Sequence, residues 1–128
     1  IADIASTSIR ECDQLGRVGG EEFLIVMPDC SLDQARKIAQ RLLVNIEGFA
    51  WQTIAKDLKQ TVSAGIVVQE HAAQERSDLD KQTLGSNSLS THASDKNTVS
   101  EFSTLLARAD KALYTAKSKG RNCFECHP

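Results

Sequence analysis

The stretch Arg17-Val18-Gly19-Gly20-Glu21-Glu22-Phe23 carries the most information about the fold, because a glycine pair stands directly before two carboxylates. An apolar run, residues 23–27, follows at once. Glycine reaches positive φ angles without steric cost, so a glycine pair between two strand-like runs is typical of a tight hairpin. The sequence therefore predicts a hairpin with Glu21 and Glu22 at its tip. Such a tip leaves backbone open to a ligand and offers two acids to a hard cation.

The hydrophobic pattern around this stretch predicts alternating helices and strands. Apolar residues three or four apart indicate a first helix from residue 1 to about 13. Ser31 and Gln34 have the form of a capping box, so we expect a second helix over residues 32–47 that ends at Gly48. The other predicted elements are strands at about 15–18, 23–27, 60–68 and 122–124, and a last helix from about 100 to 120.

Residues 69–100 differ in composition from the rest of the chain. They are rich in Ser, Thr, Asp, Gln and Lys and contain almost no large apolar side chains. Such a segment buries too little surface to offset the entropy of ordering it, so we expect a disordered polar insertion here. The predicted order of elements otherwise fits an antiparallel or mixed sheet covered by helices, within one domain over residues 1–128.

Bulk composition excludes several classes of partner. The chain has 128 residues and a formal net charge of −2, with no basic block, which argues against a nucleic-acid partner. No apolar run approaches the length of a membrane span, so we expect no direct membrane contact from this segment. The four cysteines do not form a disulfide framework, which favours a reducing, cytoplasmic setting.

The end of the chain carries a second recognisable pattern. Cys123-Phe124-Glu125-Cys126-His127 matches the haem c attachment pattern Cys-x-x-Cys-His. Covalent haem attachment requires export, which no other feature of the chain suggests. We expect instead an apolar Cys123 in a short final strand, followed by a frayed tail.

Three blocks of the sequence, in the same order and rough spacing, resemble the GGDEF family of diguanylate cyclases. The blocks are Gly19-Gly20-Glu21-Glu22-Phe23, Ser63-Ala64-Gly65-Ile66 and the run from Ala109 to Asn122. The resemblance implies an α/β (α+β) fold with a palm-like nucleotidyl-cyclase sheet and flanking helices. It covers only the later portion of the family's domain. The family's first strand with its metal-binding Asp, its phosphate loop and its guanine-reading Asn and Asp have no counterpart here, so we expect the isolated chain to be nearly inactive.

The resemblance implies roles for the hairpin residues. Glu21 would coordinate Mg²⁺ (or Mn²⁺), and Glu22 would assist the attacking 3′-hydroxyl or the transition state. Gly19 and Gly20 would let the nucleotide approach closely. Considered without the resemblance, the composition of these residues favours a solvated acidic hairpin tip, and the match of three blocks reverses that preference.

Two further groups of residues gain roles from the resemblance. Lys117 and Arg121 would reach the triphosphate of GTP, although cations at a helix C-terminus also oppose the macrodipole favourably. Arg10 and Asp13 match the family's Arg-x-x-Asp product-inhibition site, although such a spacing on a helix is usually a weak surface pair. Arg41 would add a contact to this site from a neighbouring subunit.

The implied reaction is the condensation of two GTP molecules into cyclic di-GMP, a bacterial second messenger, with release of two pyrophosphates. It would take place between two facing half-sites in a homodimer. An alternative is a catalytically inactive module that binds cyclic di-GMP or GTP as a regulatory sensor. A plain dimerisation domain, which would bind no nucleotide, is a third interpretation.

Overall fold

A computed structural model describes residues 1–69 and 95–127 of the chain. Helices and strands alternate along it. In chain order the elements are α1 (Ala2–Ser8), β1 (Gln14–Arg17), β2 (Phe23–Val26), α2 (Leu32–Glu47), a single 3₁₀ turn (Trp51–Thr53), β3 (Ala64–Val67), α3 (Asp95–Ser118) and β4 (Phe124–His127). This composition confirms a mixed α/β fold.

The strands form two separate sheets of two strands each. Strands β1 and β2 pair antiparallel, with Arg17 opposite Phe23 at the loop end. Strands β3 and β4 pair parallel, with Ala64 opposite Phe124. Parallel neighbours need a long crossover connection, and α3 lies within the one that joins these two. The expected palm-like sheet is therefore not present as one unit within the described residues, because β2 and β3 are not hydrogen-bonded to each other.

Helix α2 packs against both sheets through one apolar stripe. Towards its C-terminal end, Leu42 and Ile46 form a cluster that includes Leu15 of β1 and Ile25 of β2. Towards its N-terminal end, buried alanines pack with Ile66 of β3. The buried residues of the stripe recur at helical spacing, as expected for an amphipathic helix: Ala35, Ile38, Ala39, Leu42, Leu43 and Ile46.

The ends of α2 agree with the sequence prediction. The Ser31 hydroxyl accepts a hydrogen bond from the Gln34 amide at 3.3 Å, and the Gln34 side chain accepts one from the Ser31 amide at 2.9 Å. This reciprocal pair satisfies two backbone donors that a helix start leaves without partners. Gly48 occupies the C-terminal cap, so the predicted helix over 32–47 is confirmed.

Strand β3 and helix α3 are in backbone contact at Gly65. A Cβ atom built on Gly65 would lie 2.1 Å from the carbonyl oxygen of Ala109 and 2.5 Å from the amide nitrogen of Leu113. Both atoms belong to the helix backbone and cannot rotate away. Only glycine therefore allows α3 to approach the β3–β4 sheet this closely.

Helix α1 ends at Ser8, earlier than the predicted end near residue 13. Ile9 is extended, with φ −109° and ψ 170°. The Arg10 amide then donates to the Asp13 carboxylate at 2.8 Å rather than to a helical carbonyl. An aspartate side chain competes with the helical hydrogen bonds in this way, which explains the early end.

The second half of the chain also departs from the predicted bounds. Helix α3 already includes Asp95, and its Phe102 and Leu106 are 47% and 37% exposed. The last strand is Phe124–His127, so the expected frayed tail is wrong: pairing with β3 holds these residues in a strand. Most of the predicted 69–100 insertion, residues 70–94, lies outside the described residues.

Candidate functional site

The hairpin tip consists of residues 18–22 between β1 and β2. The amides of Val18 and Gly19 both donate to the carbonyl of Glu22, at 3.0 and 3.3 Å. The predicted hairpin is therefore confirmed, with Glu21 and Glu22 at its tip, but the expected positive φ angles are not found at Gly19 or Gly20. Both acids lie in the loop and not in a regular strand, so the alternation of strand side chains does not separate them.

Arg17 closes the tip from the end of β1. Its Nε donates to the Gly19 carbonyl at 3.2 Å, and its terminal nitrogen donates to the Gly20 carbonyl. The guanidinium carbon lies 5.9 Å from the centre of the Phe23 ring, within cation–π range. Sequence reasoning did not single out Arg17. The available signal was a cation at the start of the motif, two residues before the glycine pair.

The two acids of the tip are exposed. A Cβ atom built on Gly19 would lie 3.1 Å from Oε2 of Glu22, so this carboxylate folds back over Gly19. Around Gly20 there is open space, with no heavy atom within 4 Å of the position of a Cβ. Within residues 1–69 and 95–127, neither carboxylate is engaged by another side chain.

The chemistry of the tip suits a magnesium ion only in part. The described residues contain no group of three or more His, Cys, Asp or Glu side chains placed to hold a metal. Mg²⁺ is commonly bound through one or two carboxylates, with phosphate oxygens and water completing its shell. Glu21 and Glu22 offer oxygen donors of this kind, so they fit the ion together with a nucleotide rather than as a complete protein site.

Lys117 and Arg121 lie where α3 ends. Lys117 is in the last helical turn, and Arg121 follows Gly120. Gly120, Arg121 and Asn122 all have positive φ angles, of 113°, 64° and 49°. The Arg121 amide reaches back to the Ala116 carbonyl at 3.2 Å, which closes the helix end. The side-chain oxygen of Asn122 is buried and has no hydrogen-bond partner within the described part of the chain.

Two cavities in the described part of the chain contain neither the acids of the tip nor this basic pair. One, of about 790 Å³, lies between α3 and β4 and is lined by residues including Tyr114 and Glu125. The other, of about 170 Å³, lies between α2 and the turn at Asn122. A joint site formed by the acids and the basic pair stays a prediction.

Arg10 and Asp13 form a close ion pair in the turn before β1. The terminal nitrogen of Arg10 lies 2.7 Å from Oδ1 of Asp13, and Nε donates to the same carboxylate. The Asp13 side chain is fully buried, whereas that of Arg10 is 32% exposed. The hydrogen bond from Arg10 holds the pKa of Asp13 below its usual value, despite burial. Arg10 also donates to the Pro28 carbonyl at 2.9 Å, which ties this turn to the end of the hairpin.

Arg41 is engaged within the same chain. Its guanidinium donates to the Ser8 carbonyl at 3.0 and 2.6 Å, at the end of α1. Asn45 donates to the Ser8 hydroxyl at 3.0 Å from one helical turn further along α2. These bonds fasten α1 to α2, and a contact from Arg41 to a neighbouring subunit stays a prediction.

In the part of the chain that the structure describes, every helix is too short or too polar to cross a bilayer.

Comparison with known proteins identifies the family. The profile of the family described as "Diguanylate cyclase, GGDEF domain" matches residues 1–84. The chain is 32% identical over 124 residues to the probable diguanylate cyclase DgcT of Escherichia coli, covering 95% of the chain and 22% of that protein. It is 31% identical over 120 residues to the response regulator PleD of Caulobacter vibrioides, covering 91% of the chain and 20% of PleD. The chain thus spans about a fifth of the length of these relatives.

A solved structure shares the fold of this chain. The active GGEEF domain of a diguanylate cyclase from Vibrio cholerae superposes with a TM-score of 0.69 at 23% identity. The alignment covers 99% of the chain and 64% of that structure. The family profile spans well over half of the chain, and the motif stands at the tip of a hairpin. The chain therefore belongs to the GGDEF family of diguanylate cyclase domains.

Proposed function

We propose that this chain is part of a diguanylate cyclase domain that condenses two GTP molecules into cyclic di-GMP and releases two pyrophosphates. The observation that carries the proposal is the hairpin tip of a GGDEF-family chain. Its Glu21 and Glu22 carboxylates are exposed and unpaired within the described residues, next to the open space at Gly20.

The geometry suggests different roles for the two acids. Glu22 lies against Gly19, so we assign it to accept the proton of the attacking 3′-hydroxyl or to orient that hydroxyl. Glu21 is assigned to metal coordination. A bound magnesium or manganese ion would neutralise negative charge on the phosphates. The space at Gly20 admits the nucleotide without a side chain in its path.

The basic residues at the end of α3 are assigned to the triphosphate. Arg121, which follows the end of α3, is exposed, and Lys117 in the last turn of the helix is half-buried. A guanidinium can form a bidentate contact with phosphate oxygens, and an ammonium adds a point charge. We assign both to substrate binding, in a homodimer whose two half-sites face each other. The substrate and the free thiols of the described cysteines favour the cytoplasm.

Regulation by product is assigned to the turn before β1. Arg10 is partly exposed and is held in place by the buried Asp13. In this conformation Arg10 offers the contact to cyclic di-GMP, and Asp13 orients it. The Asp13 carboxylate can accept a hydrogen bond from a guanine edge only after the turn opens, because its side chain has no exposed surface.

A sensor without catalytic activity is the second candidate function. The observation in its favour is that the Arg10–Asp13 pair is already formed, independently of the hairpin acids. Calorimetry with cyclic di-GMP tests this function, comparing the wild-type chain with Arg10→Ala and with the exposed control Lys37→Gln. Binding that is lost only in Arg10→Ala, together with a complete domain that shows no turnover, supports the sensor.

Pyrophosphate release from GTP with Mg²⁺ tests the catalytic proposal. We expect little or no release from the 128-residue chain alone. In a complete domain, Glu22→Gln should lower turnover by about a hundredfold or more while GTP still binds, because a positioned proton acceptor is lost. Glu47→Gln, an exposed change on α2, is the matched control. Unchanged turnover in Glu22→Gln would refute the role given to this residue.

A further inference from the structure

Arg17 stands beside two free carboxylates and yet binds neither. Its guanidinium donates instead to the carbonyls of Gly19 and Gly20, at 3.2 Å for the first. Ion pairing with a neighbouring acid is the usual expectation for an exposed arginine. The observed choice leaves both acids of the tip without a competing cation from their own hairpin.

The two carbonyls fix the orientation of the loop backbone. A trans peptide is planar, so its N–H points opposite to its C=O. The Gly19 carbonyl shares a peptide plane with the Gly20 amide, and the Gly20 carbonyl shares one with the Glu21 amide. Because the guanidinium holds both carbonyls, the amides of Gly20 and Glu21 face away from Arg17.

These two amides are free, unlike their neighbours. The amides of Val18 and Gly19 are used to close the loop on Glu22. Within residues 1–69 and 95–127, those of Gly20 and Glu21 donate to no acceptor. Successive outward amides in a turn form a concavity that suits anionic oxygens.

A second contact stabilises Arg17 in this position. The guanidinium carbon lies 5.9 Å from the centre of the Phe23 ring, and Phe23 is the cross-strand partner of Arg17. A planar guanidinium can donate two parallel hydrogen bonds and stack on a ring at the same time, whereas an ammonium cannot. The arrangement therefore depends on arginine and not on positive charge alone.

We propose that Arg17 is a positioning residue that fixes the two peptide planes of the tip, so that the Gly20 and Glu21 amides face the phosphate groups of the nucleotide while Glu21 and Glu22 remain unpaired. The phosphate part of this inference rests on the proposed function. Arg17 itself takes no part in proton transfer or metal binding.

Nuclear magnetic resonance of the whole 128-residue chain tests the backbone part, with Arg17→Gln, Arg17→Lys and the control Lys37→Gln. A hydrogen bond to a carbonyl deshields its carbon, so Arg17→Gln should move the Gly19 and Gly20 carbonyl signals upfield. Hydrogen exchange of the Val18 and Gly19 amides should become about five times faster, because the loop loses its exposed hydrogen bonds from the charged Arg17 side chain. Unchanged exchange at Ile46 shows that the variant is folded.

The lysine variant separates charge from geometry. Arg17→Lys keeps the positive charge but loses the two parallel donors of the guanidinium. The Gly19 and Gly20 carbonyl signals should therefore lie close to those of Arg17→Gln. Lys37→Gln removes the same charge from an exposed position on α2 and should leave the tip unchanged. Wild-type carbonyl signals and amide exchange in Arg17→Lys or in Arg17→Gln would overturn the proposal.

Titration with Mg²⁺-GTP tests the phosphate part. In the wild-type chain the Gly20 and Glu21 amide signals should move, and Arg17→Gln should raise the apparent Kd about fivefold. If the Gly20 and Glu21 amide signals of Arg17→Gln shift as much as those of the wild-type chain, with the same Kd, then Arg17 does not orient these amides. If GTP affects neither the wild-type chain nor a complete domain that contains it, the proposed function fails for nucleotide binding, and the carbonyl signals still decide the positioning role.

Discussion

The two ends of strand β1 make opposite use of an arginine and its neighbouring acids. Before the strand, Arg10 forms an ion pair with the carboxylate of Asp13, and the Asp13 side chain is fully buried. After the strand, Arg17 binds two glycine carbonyls, and Glu21 and Glu22 remain exposed. One turn uses its acid to hold the structure together, and the other keeps its acids available.

The difference arises from what lies two and three residues beyond each arginine. Asp13 sits three residues after Arg10, in a turn where its carboxylate also accepts the Arg10 amide. Gly19 and Gly20 occupy the corresponding places after Arg17 and have no side chains, so their carbonyls are the acceptors within reach. An arginine and an acid that are close in sequence therefore pair only where the backbone folds the acid back.

Glycine substitutions should show the largest contrast between a packed position and the open tip. Gly65→Ala should destabilise the chain by about 3 kcal/mol or more, because its Cβ would meet helix backbone that cannot move aside. Gly20→Ala has open space and should change stability by less than about 0.5 kcal/mol. Urea denaturation of both variants measures this contrast. Equal effects would show that the tip is as closely packed as the β3–α3 contact.

The next largest contrast should be between the acids at the two ends of β1, in how much their substitution lowers the free energy of unfolding. Asp13→Ala should cost about 2 kcal/mol of unfolding free energy, because the guanidinium and the backbone amide of Arg10 both lose the buried Asp13 carboxylate as their acceptor. Glu21→Ala, at the exposed tip, should cost less than about 0.5 kcal/mol. The same denaturation experiment compares them, and a large effect of Glu21→Ala would mean that the tip acids are structural after all.

The pH dependence of stability should reveal the same asymmetry. The folded pKa of Asp13 is lowered, chiefly by the hydrogen bond from Arg10. Its contribution is therefore fully present above the ordinary pKa of an aspartate and is lost as the pH falls through the lower folded value. The stability difference between wild type and Asp13→Asn should shrink below about pH 4. Denaturation at several pH values measures it, and a constant difference would contradict the assignment.

The smallest expected effect separates the two glycines of the tip. A Cβ on Gly19 would meet the end of the flexible Glu22 side chain at 3.1 Å, so Gly19→Ala should displace that carboxylate at a cost below about 0.5 kcal/mol. Gly20→Ala should leave Glu22 in place. The side-chain carboxyl signal of Glu22 in nuclear magnetic resonance distinguishes the two variants. An identical signal in both would mean that the Glu22 carboxylate does not lie over Gly19.

Local signals in the sequence determined the hairpin and helix α2. The glycine pair between two apolar runs located the tip, and the capping box at Ser31 with Gly48 gave both ends of the helix. Each of these signals acts through bonds between residues a few positions apart. Interactions of that range depend little on the rest of the chain, which is why the pattern sufficed to identify the family motif and its hairpin.

Only the tertiary structure decided which of these residues are buried, paired or free. The parallel pairing of β4 with β3, the burial of Asp13 and the attachment of Arg41 to Ser8 all join residues that are distant in sequence or depend on such contacts. Sequence patterns specify which neighbours a residue has along the chain, but burial and partner choice depend on surfaces that exist only after folding.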